Sequence, residues 1–133
     1  MRDPLFPIIH LMDTPEPYRT ELLCIDKILF DGKGQPSSRQ KMALITYLIA
    51  QAYDVDFYHV TKNAMFAKWT LRAINSLVDY PVEGIALYFK RSPVWAKDAA
   101  SDKSSLPAPV QQVIARVQLI MKKLEDNGDP DKH

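Results

Sequence analysis

The sequence predicts an all-α fold, a single compact domain of five to six helices around a central helix at 57–78, and three observations lead there. Apolar residues recur at alternating steps of three and four through most of the chain, the spacing of one buried helical face. Serine, threonine and aspartate stand where a helix start needs a side-chain acceptor. Most glycines and prolines fall between the periodic stretches, where they break or begin helices.

Length and composition fit that class. A chain of 133 residues, 47% hydrophobic and 25% charged, is large enough to bury one core without metals or disulfides. The net charge of +1 gives no global attraction to a polyanion. Its distribution is uneven, because residues 61–97 hold six cations (Lys62, Lys68, Arg72, Lys90, Arg91, Lys97) against Asp79 and Glu83. Six less two leaves that segment at +4 and the remainder at −3. Cys24 is the single cysteine, so no intramolecular disulfide can form, and its apolar neighbours predict a buried structural thiol. The amino terminus MRDPLFPIIHLM is interrupted by Pro4, Pro7 and His10 and followed by DTPEP, unlike a signal peptide. No run reaches the roughly 20 apolar residues of a membrane span. The expectation is a soluble, cytoplasmic protein without membrane contact.

Residues 1–13 carry two prolines and predict an irregular amino-terminal arm. Phe6, Ile8, Ile9 and Leu11 make that arm apolar, so it packs on the domain or fills a groove on a partner. Thr14 and Pro15 have the form of a cap and first helical position, opening a helix on Tyr18, Leu22, Ile25 and Leu29. Asp31-Gly32-Lys33-Gly34 ends it, and lacks the longer glycine-framed run of a phosphate loop. Ser37 or Ser38 caps the next helix, to about Tyr53, with Met42, Ile45, Leu48, Ile49 and Ala52 inward.

Asp56 caps the central helix, whose buried stripe is Val60, Ala64, Ala67, Leu71, Ile74 and Val78. Its polar sector holds Thr61, Lys68, Arg72 and Asn75, with Met65 and Trp69 at the edge. Pro81 starts a helix burying Ile85, Tyr88 and Phe89, although 84–91 also suits a short strand. Ser92 and Pro93 repeat the cap-and-proline pattern for a short helix to Ala100. Ser101 to Ser105 read as the most flexible loop of the folded part. A last helix from about Pro107 to Asp126 buries Val110, Val113, Val117, Ile120 and Leu124, widened by Ile114 and Met121, and residues 127–133 fray.

Catalytic and metal chemistry find little support. Asp54, Asp56 and His59 form D-x-D-x-x-H, but Asp56 serves as a cap and no further ligand has matching spacing. The carboxylate pairs Glu16 with Glu21 and Asp79 with Glu83 fall on surface helices, where such pairs are solvated. No cofactor, metal or enzymatic role is expected. Trp69 and Trp95 can stack on bases but read first as core residues.

The stretch IAQAYDVDFYHV at 49–60 resembles the helix-turn-helix of DNA-binding proteins. A small residue, Ala50, lies in the first helix, Val55 at the turn and Val60 in the second helix, where close crossing of two helices is needed. It departs from that pattern at Asp54, where glycine is usual, and at Asn63, where an apolar residue is usual. The resemblance implies a non-catalytic, DNA-associated accessory or regulatory module. Thr61, Lys62, Lys68 and Arg72 would then meet nucleic acid, with Lys90, Arg91 and Lys97 on nearby phosphates. The alternative expectation is a protein–protein adaptor or assembly subunit, with another protein or a second copy of the chain as partner. It would act through the amino-terminal arm and the last helix.

Overall fold

Residue 16 and residues 18–31 and 36–127 are described in the computed structural model of the chain. Helix α1 spans Tyr18–Asp31, α2 Ser38–Ala52, α3 Phe57–Lys62 and α4 Ala64–Leu77. They are followed by α5 at Val82–Tyr88, α6 at Pro93–Ser101 and α7 at Ala108–Asn127. The described residues contain no strand, so the ambiguous 84–91 stretch is helix α5 and the turn after it. No described helix is long and apolar enough to cross a membrane. The arm residues Phe6, Ile8, Ile9 and Leu11, the cap at Thr14, the turn at 32–34 and residues 128–133 lie outside the described residues.

Two helices organise the core. Met42 through Ala50 of α2 are buried without interruption, which places this helix inside the assembly rather than at its surface. It packs against α1, α3, α4 and α7. The buried Thr46 hydroxyl donates to the Met42 carbonyl at 2.8 Å, so it is not left unsatisfied. Helix α4 meets α2, α3, α5, α6 and α7 and buries Leu71 and Ile74 completely. Each such side chain contributes about 1.5–3 kcal/mol on leaving water. Leu22 and Ile25 of α1 and Val110, Val113, Val117 and Ile120 of α7 close the core, all on the expected stripes.

The caps follow the sequence as well. Ser37 accepts from Gln40 N at 3.2 Å while the Gln40 side chain accepts from Ser37 N at 2.7 Å, a reciprocal capping box. Ser92 Oγ accepts from Trp95 N at 3.1 Å ahead of Pro93.

Three expectations need correction, the first being Ala52, expected inward at the end of α2 but exposed. The central helix at 57–78 is two helices, and the described residues hold seven helices where five to six were expected. Asn63 is extended, with φ −74° and ψ 125°. Its N–H donates to the His59 carbonyl at 2.9 Å and closes α3, and its Oδ1 accepts from Met65 N at 3.0 Å and Phe66 N at 3.2 Å and opens α4. The short amide side chain thus offers the backbone an alternative to the next helical bond. The restart leaves Ala64 exposed, although the rest of the stripe is buried. Cys24 is exposed, not buried. It lies about 200° round α1 from Leu22, at about 100° per residue, on the side turned away from α2.

Candidate functional site

The turn between α2 and α3 sets the site. Tyr53 ends α2, Asp54 takes φ 53°, and Val55 N donates back to the Ala50 carbonyl at 3.0 Å. Asp54 occupies the left-handed region that glycine adopts most easily and that aspartate tolerates better than most residues. Asp56 Oδ1 then accepts from His59 N at 2.7 Å and starts α3. A cluster of rings fixes the corner. Tyr53 stacks on Trp69 with centroids 5.9 Å apart, and Phe66 meets Tyr53, His59 and Trp69 edge-on at 5.0–5.3 Å. Burial pushes the Tyr53 hydroxyl upward in pKa, and its oxygen has no hydrogen-bond partner.

With this corner fixed, α3 becomes one wall of a concave groove of about 370 Å³. Tyr58, Thr61 and Lys62 line it from α3, and Tyr88, Phe89, Lys90 and Arg91 from the end of α5 and the turn into α6. Four of the seven expected nucleic-acid residues, Thr61, Lys62, Lys90 and Arg91, therefore converge from segments nearly thirty positions apart. Arg91 joins the two walls. Its Nη2 donates to the Lys62 carbonyl at 2.7 Å, placing a cation on the negative end of α3. Its guanidinium also lies 4.7 Å from the ring centroid of Trp95, while its Nε is buried with no hydrogen-bond partner.

Lys62 Nζ stands 4.9 Å from the Tyr58 ring centroid, and Tyr58 is 51% exposed. Lys90 is exposed at φ 58°, a left-handed turn position where glycine would be less strained. Neither lysine has an ion pair among the described residues. Among the described residues Glu16 is the one carboxylate lining the groove, and its charge is already engaged. It accepts from Thr20 Oγ1 at 2.6 Å and Arg19 Nε at 3.0 Å, and these bonds lower its pKa.

The other three expected residues lie elsewhere. Lys68 forms an ion pair with Asp102, and Arg72 Nη2 donates to the Ser104 carbonyl at 2.5 Å. Ser104 N in turn donates to Asp102 Oδ1 at 2.8 Å. These contacts bind the loop after α6 to α4, so the segment expected to be most flexible is held at two residues. Lys68, followed by the Ser104 contacts, holds the Asp102 carboxyl well below its usual range. Lys97 sits 3.7 Å from Glu83, a pair exposed on both sides.

Tyr58 and Tyr88 were missed by the sequence reading as groove residues. The four-residue spacing of Tyr58 and Lys62 on one helix was an available signal for the first. Both tryptophans are half-buried against the core, as expected for a small helical chain. No group of three or more His, Cys, Asp or Glu among the described residues is placed to hold a metal ion. Of the carboxylates set aside in the sequence, Glu16 bonds Arg19 and Thr20, Glu21 approaches Arg39 at 4.0 Å, and Glu83 faces Lys97.

No family model matches the chain, and comparison with curated proteins and with solved structures gives no match.

Proposed function

We propose that the protein is a non-catalytic, DNA-associated module that grips the phosphate backbone in the groove between α3 and the α5–α6 turn. The observation that supports this reading is the convergence there of Lys62, Lys90 and Arg91 beside the Thr61 hydroxyl and the Tyr58 ring. Lysines with no ion pair among the described residues release counterions from a polyanion on contact, whereas Lys68 and Arg72 are already committed within the chain. The helix-turn-helix likeness enters through the turn that positions α3. The left-handed Asp54 supplies the backbone bend for which that family commonly uses glycine.

Fluorescence anisotropy with a labelled DNA oligonucleotide tests the reading. Two or three phosphate contacts give a log–log salt slope of about −2 to −3, so affinity should fall about 10- to 40-fold between about 50 and 200 mM salt. Binding that is absent, or indifferent to salt, removes the proposal. A protein adaptor is the second reading, favoured by Leu119, which is 71% exposed on the outer side of α7. Capture of a protein partner that is lost on Leu119→Ser, together with no DNA binding, would put it first.

A further inference from the structure

The groove does not end at Lys90. A second concavity, of about 320 Å³, opens on the other side of the same residue and is lined by Arg39, Met42, Tyr80, Gly84 and Leu87, with Tyr88 and Lys90 shared between the two. Its floor depends on a missing side chain, because a Cβ at Gly84 would collide with the Tyr80 ring. That ring lies against the α5 backbone as a half-buried aromatic wall, and Leu87 stands beside it at 74% exposure. Arg39, with a side chain 56% exposed and a 4.0 Å approach to Glu21, adds a cation to its lining. Lys62 and Tyr58 thus line the first concavity, Tyr80 and Arg39 the second, and Lys90 belongs to both.

We infer that this continuous track takes single-stranded nucleic acid, with an unstacked base on Tyr80 and Leu87 and successive phosphates on Lys62, Lys90 and Arg39. The inference rests on the nucleic-acid reading above and narrows it. A duplex hides its base faces within the stack and is read by an element that protrudes into a major groove about 12 Å wide. Helix α3 has six residues, about 9 Å at about 1.5 Å per residue, and serves as the wall of a concavity. A largely apolar cleft with an aromatic wall and cations among its lining residues matches the chemistry of an extended strand, whose bases expose their faces. The second concavity has the volume of a small-molecule site, enough for a single nucleotide unit.

The test compares a labelled single strand of about 12 nucleotides, as DNA and as RNA, with the blunt DNA duplex of the same sequence at equal salt. The expected result is that at least one single strand binds about 10-fold or more tightly than the duplex. Tyr80→Leu should weaken single-strand binding about 5- to 100-fold, the range for losing one stacked base, and Tyr80→Phe should keep it. Arg39→Gln lies on an exposed side chain and guards against a folding defect in the tyrosine variant. It should lower single-strand affinity and reduce the salt slope by about one. Equal affinity for strand and duplex, with no effect of Tyr80→Leu or Arg39→Gln, overturns the inference while leaving the Lys62–Lys90 groove standing. Failure of every probe to bind in a salt-dependent way overturns the groove reading itself, and this inference with it.

Discussion

Lys68 and Arg72 on α4 end on acceptors of their own chain, Asp102 and the Ser104 carbonyl, whereas Lys62 and Lys90 end in a groove and make no ion pair among the described residues. All four fall in one stretch of the sequence that is basic on balance. Asn63 separates Lys62 from Lys68 and Arg72, closing α3 after the first and opening the helix that carries the other two. Past that residue, α4 turns its cations to the α6–α7 loop, while α3 turns Lys62 to the α5–α6 turn. A basic segment therefore contains both a structural clasp and an open surface, and the partner decides which residue serves which.

The largest effect should come from reversing both groove lysines. Lys62→Glu with Lys90→Glu is expected to lower nucleic-acid affinity about 10- to 100-fold and flatten the salt slope by about two, without loss of helical circular dichroism. The matching reversal, Lys68→Glu with Arg72→Glu, should lower the melting temperature and leave affinity within about twofold at equal salt, since neither residue lines the groove. An affinity loss as large as that of the groove pair, in protein that remains folded, would break the comparison.

Arg91 bridges the categories. Arg91→Ala removes the bond to the Lys62 carbonyl and the cation over Trp95, so a stability loss of about 1–3 kcal/mol in urea denaturation should accompany weaker binding. Unchanged stability would mean that α3 is held without it. Asn63→Ala should cost about 1 kcal/mol through the lost cap of α4, read by the same measurement. Lys90→Gly should change stability by less, and in the opposite direction. Relief of the left-handed backbone is expected to stabilise by up to about 1 kcal/mol while binding weakens. A glycine variant that is both less stable and equally good at binding would show that Lys90 is placed for packing.

These outcomes depend on features that were unequally visible in the sequence. The helical class, the caps at Ser37, Asp56 and Ser92, and the buried positions Leu22, Ile25, Met42, Ile45, Leu48, Ile49, Val110, Val113, Val117 and Ile120 are local, set by residues within four positions of one another, and they were legible. The break at Asn63 was obscured because the apolar stripe on either side of it keeps helical spacing, while the competing signal is one short amide. The partners of Arg72 and Arg91 lie 32 and 29 positions away, and no periodicity reports such contacts. Cys24 was misread because its apolar neighbours said nothing about which side of α1 faced α2. Of the groove, the cations were legible by charge, but their division into two sets, and the parts played by Tyr58, Tyr80 and Arg39, needed the third dimension.

The clasp on the α6–α7 loop also governs how this protein is cut. Ser101 to Ser105 are small and polar, and Lys103 is exposed, the composition at which trypsin ordinarily nicks a folded chain. Lys68 and Arg72 hold the residues on either side of that scissile position, so the loop must come off α4 before a protease can thread it. The Asp102 carboxyl has its pKa lowered from 3.8, so this hold is complete above the ordinary carboxylate range and is lost as pH falls through the lower folded value. Cleavage after Lys103 should thus be slow at neutral pH and accelerate in Lys68→Ala, and an acid-active protease should find the loop progressively easier to enter as the pH drops below the normal carboxylate range.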